Sequence, residues 1–164
     1  GWQLCSRKTG GAPVPQLPGV INLSHIYHWP SDEAYNIQKA YVHLCDVLTQ
    51  FFKELGVDVD VHATPGSYCD GDYNLNINKQ KIVGTAQRVL LKRGGGQIVL
   101  SQACILLDAD LEHIVAPVNF YNQICDNPTL VDPHVHTLLS EHVTSLPNVD
   151  SLFQQLSQAF IKYA

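Results

Sequence analysis

Between Tyr73 and Leu107 the chain repeats one pattern: a β-prone run, a turn, a longer β-prone run, a second turn and a third run. Tyr73-Asn-Leu75-Asn-Ile77 alternates apolar and polar residues, Asn78-Lys-Gln supplies a polar turn, and Lys81–Lys92 returns. Arg93 and Gly94-Gly95-Gly96 make a flexible turn before the strongly apolar Gln97–Leu107. Turns this short join only antiparallel neighbours, because a parallel return needs a crossover of a dozen residues or more. The stretch therefore places a largely antiparallel sheet at the centre of the fold.

The remaining segments supply what that sheet must be packed against. Gly19–Trp29 (GVINLSHIYHW) is β-branched and aromatic and bounded by prolines, which predicts another strand. Ser31 is a candidate N-cap, with Asp32 and Glu33 in the first turn of a helix running to about Leu55 and ended by Gly56. Its apolar positions, Ile37, Ala40, Tyr41, Leu44, Val47, Leu48, Phe51, Phe52 and Leu55, recur at helical spacing. Val57, Val59 and Val61 alternate with aspartates, as in a half-exposed strand. Asp108–Val115 reads as a short helix, and the proline-rich residues 116–147 as irregular structure with short helical pieces. Val149–Tyr163 reads as a last helix with Val149, Leu152, Phe153, Leu156 and Phe160 on one face. The expectation is a single α+β domain over residues 1–164, with a mixed, largely antiparallel sheet and packed helices.

Composition removes several function classes. A net charge of −5 over 164 residues gives no basic field for nucleic acid. No apolar run approaches the roughly 18 residues of a membrane span. Gly1–Lys8 has no apolar core of a signal peptide, and with no Met anywhere the chain reads as processed, tagged or missing its natural start. The five cysteines are widely spaced and form no CxxC pair, which argues against a disulfide framework or a zinc ribbon and for a reducing cytoplasm. Nothing in the sequence sets an oligomeric state.

Chemistry concentrates in Ser67–Arg88. Cys69 lies in a glycine-flanked loop, Gly66-Ser-Tyr-Cys69-Asp-Gly71, and Lys81 follows across a strand and a turn, so a thiol and an amine can return to one point. A thiol attacks as its thiolate, which a nearby cation or exposed backbone N–H groups would favour, whereas Asp70 and Asp72 would oppose it if aimed at the sulfur. On the residues alone Cys69 is either a nucleophile or a packed loop thiol. Lys81 is either a site residue or a solvated charge, although it opens an apolar strand in which Gly84 leaves room for a close approach. Arg7-Lys-Thr9-Gly10-Gly11 could bind an anion or amide through backbone N–H groups, or be an ordinary glycine turn. Cys45, on a helical apolar face, and Cys104, in an apolar strand, read as buried structural thiols. His134, His136 and His142 lack an acidic or thiolate ligand at a recognised spacing and read as polar loop histidines rather than a metal site. Gly94-Gly95-Gly96 lacks the Lys-Ser/Thr of a phosphate loop, and no Gly-x-Ser-x-Gly elbow is present.

Taken in order, Arg7-Lys-Thr-Gly-Gly-Ala12, Gly19-Val-Ile-Asn-Leu-Ser24, Gly66-Ser-Tyr-Cys-Asp-Gly-Asp-Tyr-Asn-Leu75 and Lys81-Ile-Val-Gly-Thr-Ala-Gln-Arg88 resemble the biotin/lipoate protein ligase and octanoyltransferase superfamily. The Gly-Ser-Tyr-Cys loop and its spacing to the lysine are most similar to the lipoyl (octanoyl) amidotransferases. The resemblance implies the catalytic-domain fold of that superfamily without its N-terminal portion, and without an appended C-terminal domain. It implies acyl transfer to a lysine of a lipoyl domain or of the glycine-cleavage H protein. Cys69 would hold the acyl group as a thioester, and Lys81 would hold the acyl carbonyl or oxyanion and share proton transfer. Arg7, Thr9, Gly10, Gly11, Asn22, Gly71, Gly84, Thr85 and Ala86 would bind substrate, walling an apolar acyl channel. That version needs no metal and no ATP. An ATP- and Mg-dependent lipoate-protein ligase, with Cys69 incidental, is the first alternative, and a non-catalytic carrier-binding module is the second. The first motif departs from the superfamily in having Ala12 and Pro13 where a further glycine usually stands.

Overall fold

The structure, a computed structural model, describes residues 1–30 and 32–164. Strands β1 (Val20–Trp29), β2 (Asp60–Val61), β3 (Leu75–Ile77), β4 (Gln80–Leu91) and β5 (Gln97–Leu106) form one sheet in the order β1-β5-β4-β3-β2. Every pairing between strands is antiparallel, and one isolated parallel bridge joins Lys81 to His136. The strand–turn pattern expected for Tyr73–Leu107 is present. Asn78 and Lys79 turn the β3–β4 hairpin with φ of 50° and 68°, the left-handed pair that a tight two-residue hairpin requires.

Alternation along the strands sorts side chains onto two faces. On one face Ile21, Val83, Ala103 and Ile105 join Leu44, Val47, Leu48, Phe51 and Phe52 of α1 (Ile37–Glu54) and Leu152, Leu156 and Ala159 of α3 (Val149–Tyr163) in the main core. On the other, Leu106 packs with Tyr68 and with Ile114, Val115 and Val118 of α2 (Leu111–Ile124). This second cover is partial. Residues 1–17, which have no regular structure, complete it as a strap.

Several sequence expectations shift. Helix α1 begins at Ile37, where the Asn36 side chain accepts from the Lys39 N–H at 2.9 Å; Asp32 and Glu33 lie ahead of it, and the Ser31 cap lies outside the described residues. Ile37 is exposed rather than facing the core. Only Asp60–Val61 of the valine–aspartate run is strand, because its partner β3 is three residues long; Val57 instead enters the core. Helix α2 starts later and runs further than Asp108–Val115. Asp110 caps it, and it continues through Pro117 because Asn119 and Asn122 beyond that proline are tied to the backbone of Thr129 and Val131. In α3 the bounds agree, but Val149 and Phe153 are exposed and Ala159 is buried. Residues 132–142 hold two short 3-10 turns, Pro133–Val135 and Leu139–Glu141.

Candidate active site

Between the sheet face covered by α2 and the strap lies a cavity of about 1230 Å³. Its floor follows from register: Asn22 of β1 pairs with Cys104 of β5, which pairs with Gly84 of β4, and one step along the same face Ser24, Gln102 and Ala86 form the next row. The strap forms the opposing wall. Arg7 fixes its shape by donating to Thr9 Oγ1, the Gly10 carbonyl and the Ala12 carbonyl at 3.0, 2.6 and 3.0 Å. Thr9 then donates to Gln102 Oε1 at 2.7 Å, Arg88 donates to the Lys8 carbonyl at 2.9 Å, and Asn22 hydrogen-bonds Gln16. A buried hydroxyl and a cross-strand amide thus staple the strap to the sheet without closing the space between them.

Cys69 and Lys81 both line this cavity. Cys69 sits in the left-handed region at φ 51°, a conformation uncommon for a residue with a Cβ and one that surrounding contacts must hold. Lys81 supplies two of them, its ammonium donating to the Tyr68 carbonyl at 2.6 Å and the Cys69 carbonyl at 3.0 Å. Its Nζ also lies 4.5 Å from the centre of the Tyr68 ring. The lysine is fully buried, and burial pulls its pKa down to about 8, against the opposing pull of Cys69, Cys104 and Asp70. It is therefore no solvated surface charge. An ammonium has three donors, and two are committed to carbonyls, leaving one for a ligand.

Glycine matters at two places here. A Cβ on Gly84 would stand 3.1 Å from Lys81 Cε and 3.3 Å from Nζ, so the room it leaves is taken by the lysine's own side chain. A Cβ on Gly11 would stand 2.8 Å from Cys69 Sγ and 2.8 Å from Arg7, and its φ of 113° is closed to other residues. The sulfur, the guanidinium and the strap backbone therefore meet at Gly11. The Asp70 carboxylate accepts from the Thr64 N–H at 2.6 Å, which ties it to the start of the Cys69 loop.

Of the substrate-binding candidates, Arg7, Thr9, Gly11, Asn22, Gly84, Thr85 and Ala86 line the cavity. Gly10 and Gly71 do not. Both are exposed, and each contributes a carbonyl to its own loop, Gly10 to Arg7 and Gly71 to the Asn74 N–H. Cys104, expected as a structural thiol, is buried but belongs to the cavity floor, where burial pushes its pKa up. Strand alternation from Gln102 carries that signal. Cys45 fits its expected role, buried in the core with its pKa pushed up to about 12 by burial. His136 is buried rather than a polar loop residue, while His134 is exposed. Among the described residues no group of three or more His, Cys, Asp or Glu could hold a metal, and no helix is long and apolar enough to cross a membrane.

An antiparallel sheet backed by two helices, with a thiol and a buried amine in a strapped cavity on its other face, is an arrangement suited to carrying an acyl group. The chain belongs to the lipoyl protein ligase A/B catalytic domain family, whose model matches residues 1–161. It is 36% identical over 132 residues to an uncharacterized protein of Cupriavidus necator, covering 74% of this chain and 52% of that protein. It is 28% identical over 171 residues to the octanoyl-[GcvH]:protein N-octanoyltransferase of Lysinibacillus sphaericus, covering all of this chain and 59% of the relative. The chain thus spans little more than half the length of these relatives. Its fold is shared with a crystal structure of lipoate-protein ligase A bound with ATP, at a TM-score of 0.72 and 17% identity, covering 96% of this chain and 57% of that one. It is shared also with the bi-partite lipoate protein ligase of Thermoplasma acidophilum, at a TM-score of 0.64, 20% identity and coverage of 96% and 56%.

Proposed function

We propose that the protein is an acyltransferase of lipoate assembly, in which residues 1–164 act as one catalytic domain that moves an octanoyl or lipoyl group onto a lysine of a lipoyl-carrier protein. The observation that carries this reading is that Cys69 and Lys81 line one cavity between the sheet and the strap, with the Lys81 amine bound to the Cys69 carbonyl. Relatives named octanoyl-[GcvH]:protein N-octanoyltransferase support a carrier of the H-protein or lipoyl-domain kind as donor and acceptor.

The chemistry balances in two steps. The Cys69 thiolate adds to the acyl carbonyl, a C–S bond forms, and the donor carrier's lysine leaves as an amine after taking a proton. The acceptor's lysine amine then adds to the thioester, loses its proton, and expels the Cys69 thiolate. The free donor of Lys81 would hydrogen-bond the carbonyl oxygen as it gains negative charge in each addition. The two carbonyls that hold the amine keep that donor pointed without reorganisation. Neither step calls on a metal or a nucleotide. A cytoplasmic setting agrees with five cysteines that are free thiols.

The test supplies an octanoylated H-type donor and an unmodified lipoyl domain without ATP. Transfer is expected with the wild-type protein and not with Cys69→Ala. Lipoate-dependent pyrophosphate release from ATP that survives Cys69→Ala would instead establish an adenylating ligase. Carrier binding with neither activity would leave a non-catalytic module.

A further inference from the structure

The segment 132–137, which carries no recognised motif, touches the site on three sides. The Asp132 N–H donates to the Gly66 carbonyl at 2.9 Å, at the start of the Cys69 loop. The Thr137 N–H donates to the Lys81 carbonyl at 3.0 Å, beside the parallel bridge between Lys81 and His136. Between these anchors the His136 ring stacks on Tyr68, with centroids 4.9 Å apart and planes 11° from parallel. Tyr68 is the residue whose ring and carbonyl receive the Lys81 ammonium, and the next residue in the chain is Cys69. The His136 Nδ1 faces two acceptors only, the carbonyls of Asp132 at 3.0 Å and Pro133 at 3.3 Å, so Nδ1 carries the proton. The other ring nitrogen is buried without a partner among the described residues.

We infer that His136 and Tyr68 are positioning residues: their stacked rings form a dry clamp that holds the Lys81 amine against the backbone of the Cys69 loop. The groups facing Lys81 are Cys69 and Asp70 of the loop, Cys104 of β5, Tyr68, and His136 of the 132–137 segment. Those facing His136 are Lys81, Tyr68 and Asp132. Burial and then the Lys81 charge push the His136 pKa down to about 4, so the ring stays neutral and adds no repulsion to the lysine at physiological pH. Flat aromatic contact, rather than a ring nitrogen, is what excludes water from the amine. Phe at this position would keep the clamp, and Leu would fill the space without stacking.

This rests on the acyl-transfer reading for its catalytic consequence, and on the carbonyl hydrogen bonds, ring contacts and burial of the amine for the state of the lysine, and the test separates the two. The titration of Lys81 is followed by NMR of protein labelled with 13C at lysine Cε, in wild type, His136→Phe and His136→Leu. The wild-type midpoint is expected near 8. His136→Phe should keep it, and His136→Leu should raise it by about one pH unit, a roughly tenfold gain in proton affinity. In the transfer assay His136→Leu should lower kcat roughly tenfold or more with KM within about twofold, and His136→Phe should restore kcat. A Lys81 midpoint unchanged in His136→Leu, or raised equally in both variants, would overturn the clamp. A wild-type midpoint near that of free lysine would overturn it before any variant is made. Midpoints that behave as expected in a protein without transferase activity would leave the clamp standing and remove the acyl-transfer reading.

Discussion

The two faces of strands β1, β5 and β4 differ by one residue of register and by everything else. Ile21, Ala103, Ile105 and Val83 point into a closed apolar core sealed by α1 and α3. Their immediate neighbours Asn22, Cys104 and Gly84 point into the cavity, where a strap without regular structure takes the place of a packed helix. The closed face gains stability from area removed from water, roughly 25 cal/mol per Å². The open face gives up such burial and instead buries an ammonium beside the half-buried Cys69, which is unfavourable for folding and useful for chemistry. Stability and reactivity are thus assigned to opposite sides of the same three strands.

Lys81 is where the two faces differ most. Lys81→Met should cut acyl transfer by about a thousandfold while making the protein more stable at neutral pH, because a buried ammonium is replaced by an apolar chain. The lysine's pKa falls from 10.5 unfolded to about 8 folded, so it disfavours folding fully below pH 8, by about 3 kcal/mol, and progressively less up to 10.5. Urea unfolding of both proteins should show the stability gap narrowing over that window; a gap independent of pH would mean that the amine is hydrated. On the closed face, Phe52→Ala should cost about 3–5 kcal/mol in the same measurement. Octanoate affinity of the folded variant should stay within about twofold, and a larger loss would show that the two faces are coupled.

His136 sharpens the contrast from the acid side. Its pKa is lowered from 6.5 to about 4, so its neutral form supports folding above 6.5, and that support is lost as pH falls towards 4, by about 3 kcal/mol. His136→Phe should lose correspondingly less stability across that window than wild type. Gly84→Ala carries the smallest effect. Its methyl would press on Lys81 Cε and Nζ, and a roughly tenfold fall in kcat is expected with little change in stability, read from steady-state transfer and thermal unfolding.

Local periodicity carried much of the closed face. The heptad-like run from Ala40 to Phe52, the apolar β5 and the bounds of α3 are written in spacing alone. The Cys69–Lys81 pairing was visible as two residues and a turn between strands. What stayed hidden depended on contacts distant in sequence. Asn36 rather than an earlier residue caps α1, and α2 runs past Pro117 because Asn119 and Asn122 find backbone partners after the helix. His136 looked like a loop residue because its partner Tyr68 lies 68 positions earlier, and stacking leaves no periodic trace. Gly10 and Gly71 lie outside the cavity lining, and each gives a carbonyl to its own loop, a placement that their motifs do not reveal.

If the open face holds an acyl group on Cys69, peptide-level mass spectrometry detects it there. The protein would be incubated with octanoylated donor carrier, without acceptor, and digested under conditions that preserve thioesters. One octanoyl group should appear on the Cys69 peptide, be released by hydroxylamine, and be absent in Cys69→Ala. An octanoyl group on Cys104 instead, or a Cys69→Ala protein that transfers at the wild-type rate, would contradict that assignment.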